Sequence, residues 1–254
     1  MTSRKLLLAA ILILPLSACT NKGPLPPTAS APATAPIDPS TVGELTGTIH
    51  FVGTKPAPQR IMMDQDPACL VQHGGQTVFA EDGAVNSDGT LANAFVYVKA
   101  GAEKYPFAPP ADPVVLDQAG CMYKPHVLGL MAGQILRIVS SDDTTHNVHP
   151  MPKNNREWNM AQAPGAAPIE QKFPHPEIMI PLKCNAHPWM RAWIGVTSNP
   201  FFAVSGSDGT FTIKGLPPGD YTLAVWTATF GIQEKEVTLA PKQLKTVDFQ
   251  FRAP

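Results

Sequence analysis

Cys184, His187 and Met190 fall within one seven-residue segment, Cys184-Asn185-Ala186-His187-Pro188-Trp189-Met190. A thiolate, an imidazole and a thioether are soft or borderline donors, and copper is the ion that suits all three together. Zinc would be held by the cysteine and histidines but would leave Met190 without a purpose. A single loop of this kind cannot supply two imidazoles and a thiolate in one trigonal plane, so a second histidine must arrive from elsewhere. His146, in Thr145-His146-Asn147-Val148-His149, is the first candidate. His149 competes with it, and His126 in Lys124-Pro125-His126-Val127 is a spare; His50, His73 and His175 read as exposed or locally bonded. Taken singly, a methionine is more often core and a histidine more often surface, so the message lies in the combination.

At these residues the chain resembles the small blue copper proteins of the amicyanin type, from about Val114 to Ser198. In that family a pattern ending in His-Asn-Val supplies the first histidine, matched here by His146-Asn147-Val148. A Cys-x-x-His-x-x-Met loop supplies the rest, matched by Cys184, His187 and Met190. The resemblance implies one type 1 copper site: Cys184 gives the short covalent bond, His146 and His187 complete the plane, and Met190 is the weak axial ligand. It also implies that Asn147 ties the two ligand loops together through its side chain. His187, flanked by Pro188 and Trp189, is the implied exit for electrons through an apolar patch. The approach to Cys184, Glu177-Ile-Met-Ile-Pro-Leu-Lys183, departs from the family's aromatic-rich Gly-x-Tyr-x-Tyr.

Four cysteines divide by context. Arg4 and Lys5, a run of about 11 apolar residues and then Leu16-Ser17-Ala18-Cys19 form an export signal too short to span a bilayer, which takes about 20 residues. The last four residues resemble a bacterial lipobox, which makes Cys19 the lipidation site and anchors the chain to a membrane. Thr20 rather than Asp at the next position points to the outer membrane. Cys69 and Cys121 are left over once Cys184 is assigned to copper, and in an oxidising compartment such a pair reads as a disulfide, worth about 4 kcal/mol for a loop of roughly 50 residues. Pairing of Cys121 with Cys184 would abolish the copper site, and two separate thiols are the remaining alternative.

The elements that must position these groups read as strands. Short β-type runs such as Thr48–Val52, Ala94–Val98, Val114–Leu116, Ile135–Val139, Trp193–Val196, Thr210–Ile213, Tyr221–Trp226 and Val247–Phe251 are separated by turns such as Asp88-Gly89, Asp208-Gly209 and Pro217-Pro218-Gly219-Asp220. No long amphipathic helix is legible, and Pro152–Gln171 reads as loop. The stretch from Val204 to Leu223 resembles the later strands of carboxypeptidase-regulatory-like, transthyretin-like sandwiches. The expected fold is all-β: a cupredoxin-like Greek-key β-sandwich at 111–198 inserted into a second sandwich made of 44–110 plus 199–254. A signal peptide (1–18) and a disordered Pro/Ala/Thr tether (19–43) precede them.

With 19 Lys and Arg against 20 Asp and Glu the chain is close to neutral, and nothing advertises nucleic-acid binding. Neither Gly-x-Ser-x-Gly nor His-Glu-x-x-His occurs, so no local hydrolase signature is present. The expectation is a non-enzymatic, envelope-anchored periplasmic lipoprotein that passes electrons to and from a redox protein partner. Copper delivery, or a structural sandwich without redox function, are the competing classes.

Overall fold

The computed structural model describes residues 36–253, so the export signal and Cys19 lie outside the described residues. The described residues are all-β apart from one short helix, as expected from the density of turn residues and β-branched runs. The strand Gly43–Phe51 lies between Thr210–Leu216, antiparallel, and Leu244–Thr246 and Phe249–Phe251, both parallel. A second sheet runs in the order Phe202–Val204, Phe95–Ala100, Gly219–Thr227, Gly231–Leu239. Alternating residues from both sheets, among them Leu45, Ile49, Val96, Val98, Phe211, Ile213, Leu223, Val225 and Phe249, fill one core. That alternation is the period-2 signature of β-strands.

A second pair of sheets holds the copper-ligand candidates. One runs Met160–Gln162, His146–Pro150, Glu177–Lys183, Arg191–Thr197, Val127–Met131; the other runs Ile169–Lys172, Ile135–Ser140, Val114–Gln118, Tyr123–Lys124. Leu116, Leu130, Leu136, Ile138, Val148, Ile180 and Ile194 pack between them. Two of these short strands, Met160–Gln162 and Ile169–Lys172, occupy the stretch that reads as loop in the sequence. They were invisible because three or four residues are too few to show a period, and pairing with His146–Pro150 and Ile135–Ser140 is what orders them.

The sequence between the first two long strands folds against the ligand-bearing sandwich. It consists of the two-stranded ribbon Arg60–Ile61 with Val78–Phe79, and the helix Pro67–Gln72. The helix forms for local reasons: Asp66 at the N-cap accepts the backbone N–H of Ala68 and Cys69, and Pro67 supplies a preset φ at the first position. Cys69 and Cys121 are joined by a disulfide, so the alternative pairing with Cys184 does not occur and Cys184 is a free, buried thiol. His73 Nε2 bonds to the Gly120 carbonyl at 2.7 Å, and Met63, Met122 and Trp189 pack around the disulfide.

The end of the expected tether is ordered. Ile37 packs on the first sandwich's core, and Lys242 N–H donates to Thr41 O, so apolar burial and a backbone bond fix residues that lack any strand pattern of their own.

Candidate metal centre

His146 opens the strand His146–Pro150, and the Cys184–Met190 loop follows directly from the end of Glu177–Lys183. Because these strands are hydrogen-bonded neighbours, with Lys183 opposite His149, the two ligand segments emerge side by side. The loop closes on itself: Cys184 N–H donates to Met190 O at 3.1 Å, and Met190 N–H donates to His187 O at 2.9 Å. Asn147 lies across the gap, its Oδ1 accepting the N–H of Asn185 at 2.7 Å and of Ala186 at 3.4 Å. Tyr123, fully buried beneath, donates its hydroxyl to Asn147 O.

The result is a buried cluster in which ligand atoms of His146, Cys184 and His187 all lie within 4.8 Å of one another. His146 Nδ1 is 3.0 Å from His187 Nδ1, and Cys184 Sγ is 3.6 Å from His187 Nδ1. Met190 is fully buried in the same hydrophobic cluster as Cys184. His149 is held elsewhere by Glu157 and Asn185, and His126 by Asp82, so neither joins the cluster. His50 is half-buried beside Thr90, and His175 is exposed and bonded locally to Asn155.

Two carboxylates absent from the sequence reading complete the centre. His146 Nε2 bonds to Asp142 at 2.8 Å, and His187 Nε2 bonds to Asp66 at 2.9 Å. Hydrogen bonds hold both acids ionised. For Asp66 the bond from His187 leads in lowering the carboxyl; for Asp142 burial raises it but the bonds from His146 and from the backbone N–H of Cys121 and Gly120 outweigh that. An ionised carboxylate can only accept, so each ring must donate from Nε2, which leaves the Nδ1 of a neutral ring bare. Two bare nitrogens at 3.0 Å, with a sulfur beside them, repel unless a cation or a proton lies among them.

The charges agree with that reading. Burial pushes the Cys184 thiol up, but hydrogen bonds from His146 and from the backbone N–H groups of Asn147, His187 and Ala186 prevail and bring it down to about 6, so it is a thiolate at neutral pH. Burial disfavours a charged His146, yet Asp142 and the Cys184 sulfur raise it to about 9. One buried proton therefore stands where the lone pairs converge, and it is the proton a metal would displace.

The family model of the carboxypeptidase regulatory-like domain matches residues 194–252. No curated protein sequence matches the chain. Among solved structures, a Cu-containing nitrite reductase from Thermus scotoductus SA-01 aligns at 19% identity and a TM-score of 0.32, over 41% of this chain and 25% of that one. A purple cupredoxin from Nitrosopumilus maritimus aligns at 21% and 0.26, over 30% of this chain and 82% of that one. An amicyanin variant in its Cu(I) form aligns at 18% and 0.30, over 40% of this chain and 98% of that one. The chain thus spans a quarter of the reductase's length. Alignments this partial leave the site to be read from its own residues.

The expected exit at His187 is where the structure differs most from the sequence reading. His187 is only 4% exposed: Asp66 holds its outer nitrogen, Cys69 Sγ lies 3.7 Å from the same atom, and the Trp189 ring sits 5.2 Å from the imidazole. The helix that covers it comes from sequence about 120 positions away, and nothing in the loop itself announces it. Asp142, four residues before His146, and the Asp66-Pro67 helix start were the only local signals available.

Proposed function

We propose that the protein holds one copper ion in a type 1 site formed by His146, Cys184, His187 and Met190, and that it transfers single electrons at the bacterial envelope as a carrier rather than an enzyme. The observation that carries this reading is the pair of Nδ1 atoms 3.0 Å apart with the Cys184 sulfur beside them and both Nε2 atoms committed to carboxylates. Two imidazoles, a thiolate and a thioether are the donor set that suits copper in both oxidation states, and copper there would supply a reversible one-electron couple.

The protein's part is to hold that donor set still. Asp142 and Asp66 fix the orientation of the His146 and His187 rings. Asn147 locks the Cys184 loop to the His146 strand, and the close-packed core around Met190 and Cys184 resists rearrangement. In this reading Cys19 carries the lipid, and the Pro-rich segment after it lets the folded part reach a redox partner near the outer membrane.

The test is metal analysis with optical and electron paramagnetic resonance spectra on protein produced in a periplasm, alongside Cys184→Ser. The parent should be coloured, with a narrow copper hyperfine splitting, and the variant should lose both. Reversible one-electron voltammetry should accompany the colour. A parent that takes up zinc alone, or stays colourless with cupric salt, overturns the reading.

A further inference from the structure

We propose that electrons cross the surface on the Cys184 side of the site, at a cationic groove that receives an acidic redox protein. This rests on the copper reading above and departs from the exit at His187 that the sequence suggests. The His187 edge is closed by Asp66, the helix behind it and the Cys69–Cys121 disulfide. On the other side of the loop an open groove of about 610 Å³ is bordered by Cys184, which is itself buried. Met151, Pro181, Pro188 and Trp193 give it an apolar body, and Lys183 and Arg191 give it charge.

The two cations are the argument for the occupant. Lys183 and Arg191 sit directly opposite each other on the antiparallel strands Glu177–Lys183 and Arg191–Thr197. Like charges in that register oppose strand pairing. Among the described residues neither forms an ion pair, and no acidic residue lines the groove. The acid nearest in effect to Arg191, Asp82, is committed to His126 and to the Trp193 indole N–H. A like-charged pair with no ion-pair partner, beside Cys184, fits a partner that brings carboxylates to the rim of its own redox centre. An apolar body inside a charged rim is also the usual make-up of a protein docking patch. The exchange is a single-electron step: the reduced site loses one electron, the oxidised partner gains it, and no bond breaks or forms.

The probe is hexacyanochromate(III), a paramagnetic trianion that broadens amide resonances wherever it docks. With the full chain, metal-free and separately copper(I)-loaded, broadening should centre on Lys183, Asn185 and Arg191–Trp193, and Lys183→Gln/Arg191→Gln should abolish it. Stopped-flow oxidation of the reduced protein by hexacyanoferrate(III) should slow about tenfold in that variant and lose its salt dependence, whereas oxidation by the cationic tris(phenanthroline)cobalt(III) should not slow. Voltammetry of the variant separates a changed potential from changed docking. Broadening centred on Asp66–Cys69 and Trp189, or spread over remote cations such as Lys235 and Lys245, overturns the proposal, as does an unchanged rate with the anion. A protein that binds no copper would sink the function proposed above, while the metal-free broadening map would still decide where anions dock.

Discussion

Asp66 joins two roles that are usually separate. It caps the helix Pro67–Gln72 and it holds Nε2 of His187, so one carboxylate both folds the cover and orients a proposed copper ligand. Its negative charge, relayed through the imidazole, favours the more positive oxidation state of a bound ion. Asp66→Ala should therefore raise the reduction potential, by about 60 mV if the effect is tenfold for one electron. It should also lower stability by about 1 kcal/mol through the lost cap. Asp66→Asn keeps the oxygen that caps the helix but puts an amide N–H in place of the oxygen that His187 Nε2 bonds, so it should raise the potential while keeping the cap's share of the stability. Voltammetry and urea unfolding on both variants check this; equal potentials in parent and Asp66→Asn would show that the carboxylate's charge is not felt at the site.

The elements explain why only part of this centre was legible. The Cys184, His187 and Met190 spacing is local, and His146 is marked by its neighbours Asn147 and Val148, so pattern alone finds them. Long alternating runs such as Tyr221–Trp226 likewise declare themselves as strands. The cover over His187 has no such pattern: its helix is six residues, its ribbon strands two each, and tertiary contacts hold it in place. One of those contacts is the disulfide, which closes a separation of 52 residues. Cys69→Ala/Cys121→Ala should lower the unfolding free energy by about 4 kcal/mol in the chain-entropy picture, read as a lower urea midpoint. A second contact is His126 Nε2 on Asp82 at 2.8 Å, where the Trp193 indole also donates. Burial opposes a charged His126, but Asp82 and Glu81 prevail and raise it above 6.5; for Asp82 burial is likewise outweighed, and it falls below 3.8. The histidine's contribution is therefore complete below pH 6.5 and disappears as pH climbs through its folded value. The aspartate's is complete above pH 3.8 and disappears as pH falls through its folded value. The pair supports the fold best between these limits, so stability should decline from pH 6 to pH 9 more steeply in the parent than in His126→Gln. Parallel slopes in chemical unfolding at the two pH values would exclude the pair as a contributor.

At the scale of the whole molecule, the two sandwiches meet through a seam that the alternation pattern does not predict, because residues there are buried on both faces of a strand. Phe95, Tyr97 and Ala224 from one sheet pack on Val127 and Met179 from the other, with Phe202, Trp193 and Trp226 around them. Two features open the space. Gly129 and Gly195 are register partners on the adjacent strands Val127–Met131 and Arg191–Thr197, and a Cβ at Gly195 would come within 2.4 Å of the Phe95 ring. An irregularity between Glu177 and Ile180 places Met179 at φ 60° and turns its side chain into the seam, while Ile180 stays in the ligand-bearing core. The strand Arg191–Thr197 thus carries the Cys184–Met190 loop at one end and the seam along one face, which ties the rigidity of the candidate site to the neighbouring sandwich. Gly195→Ala forces a methyl group against an aromatic ring that has no free end to swing away, and overpacking of this kind costs about 1–3 kcal/mol. The strain falls between the sandwiches rather than inside either core, so calorimetry should show the variant's unfolding broader than the parent's or split in two, with the earlier transition carrying the seam. If Gly195→Ala instead lowers the midpoint of one sharp transition, the two sandwiches unfold as one unit and the seam is no weaker than the cores it joins.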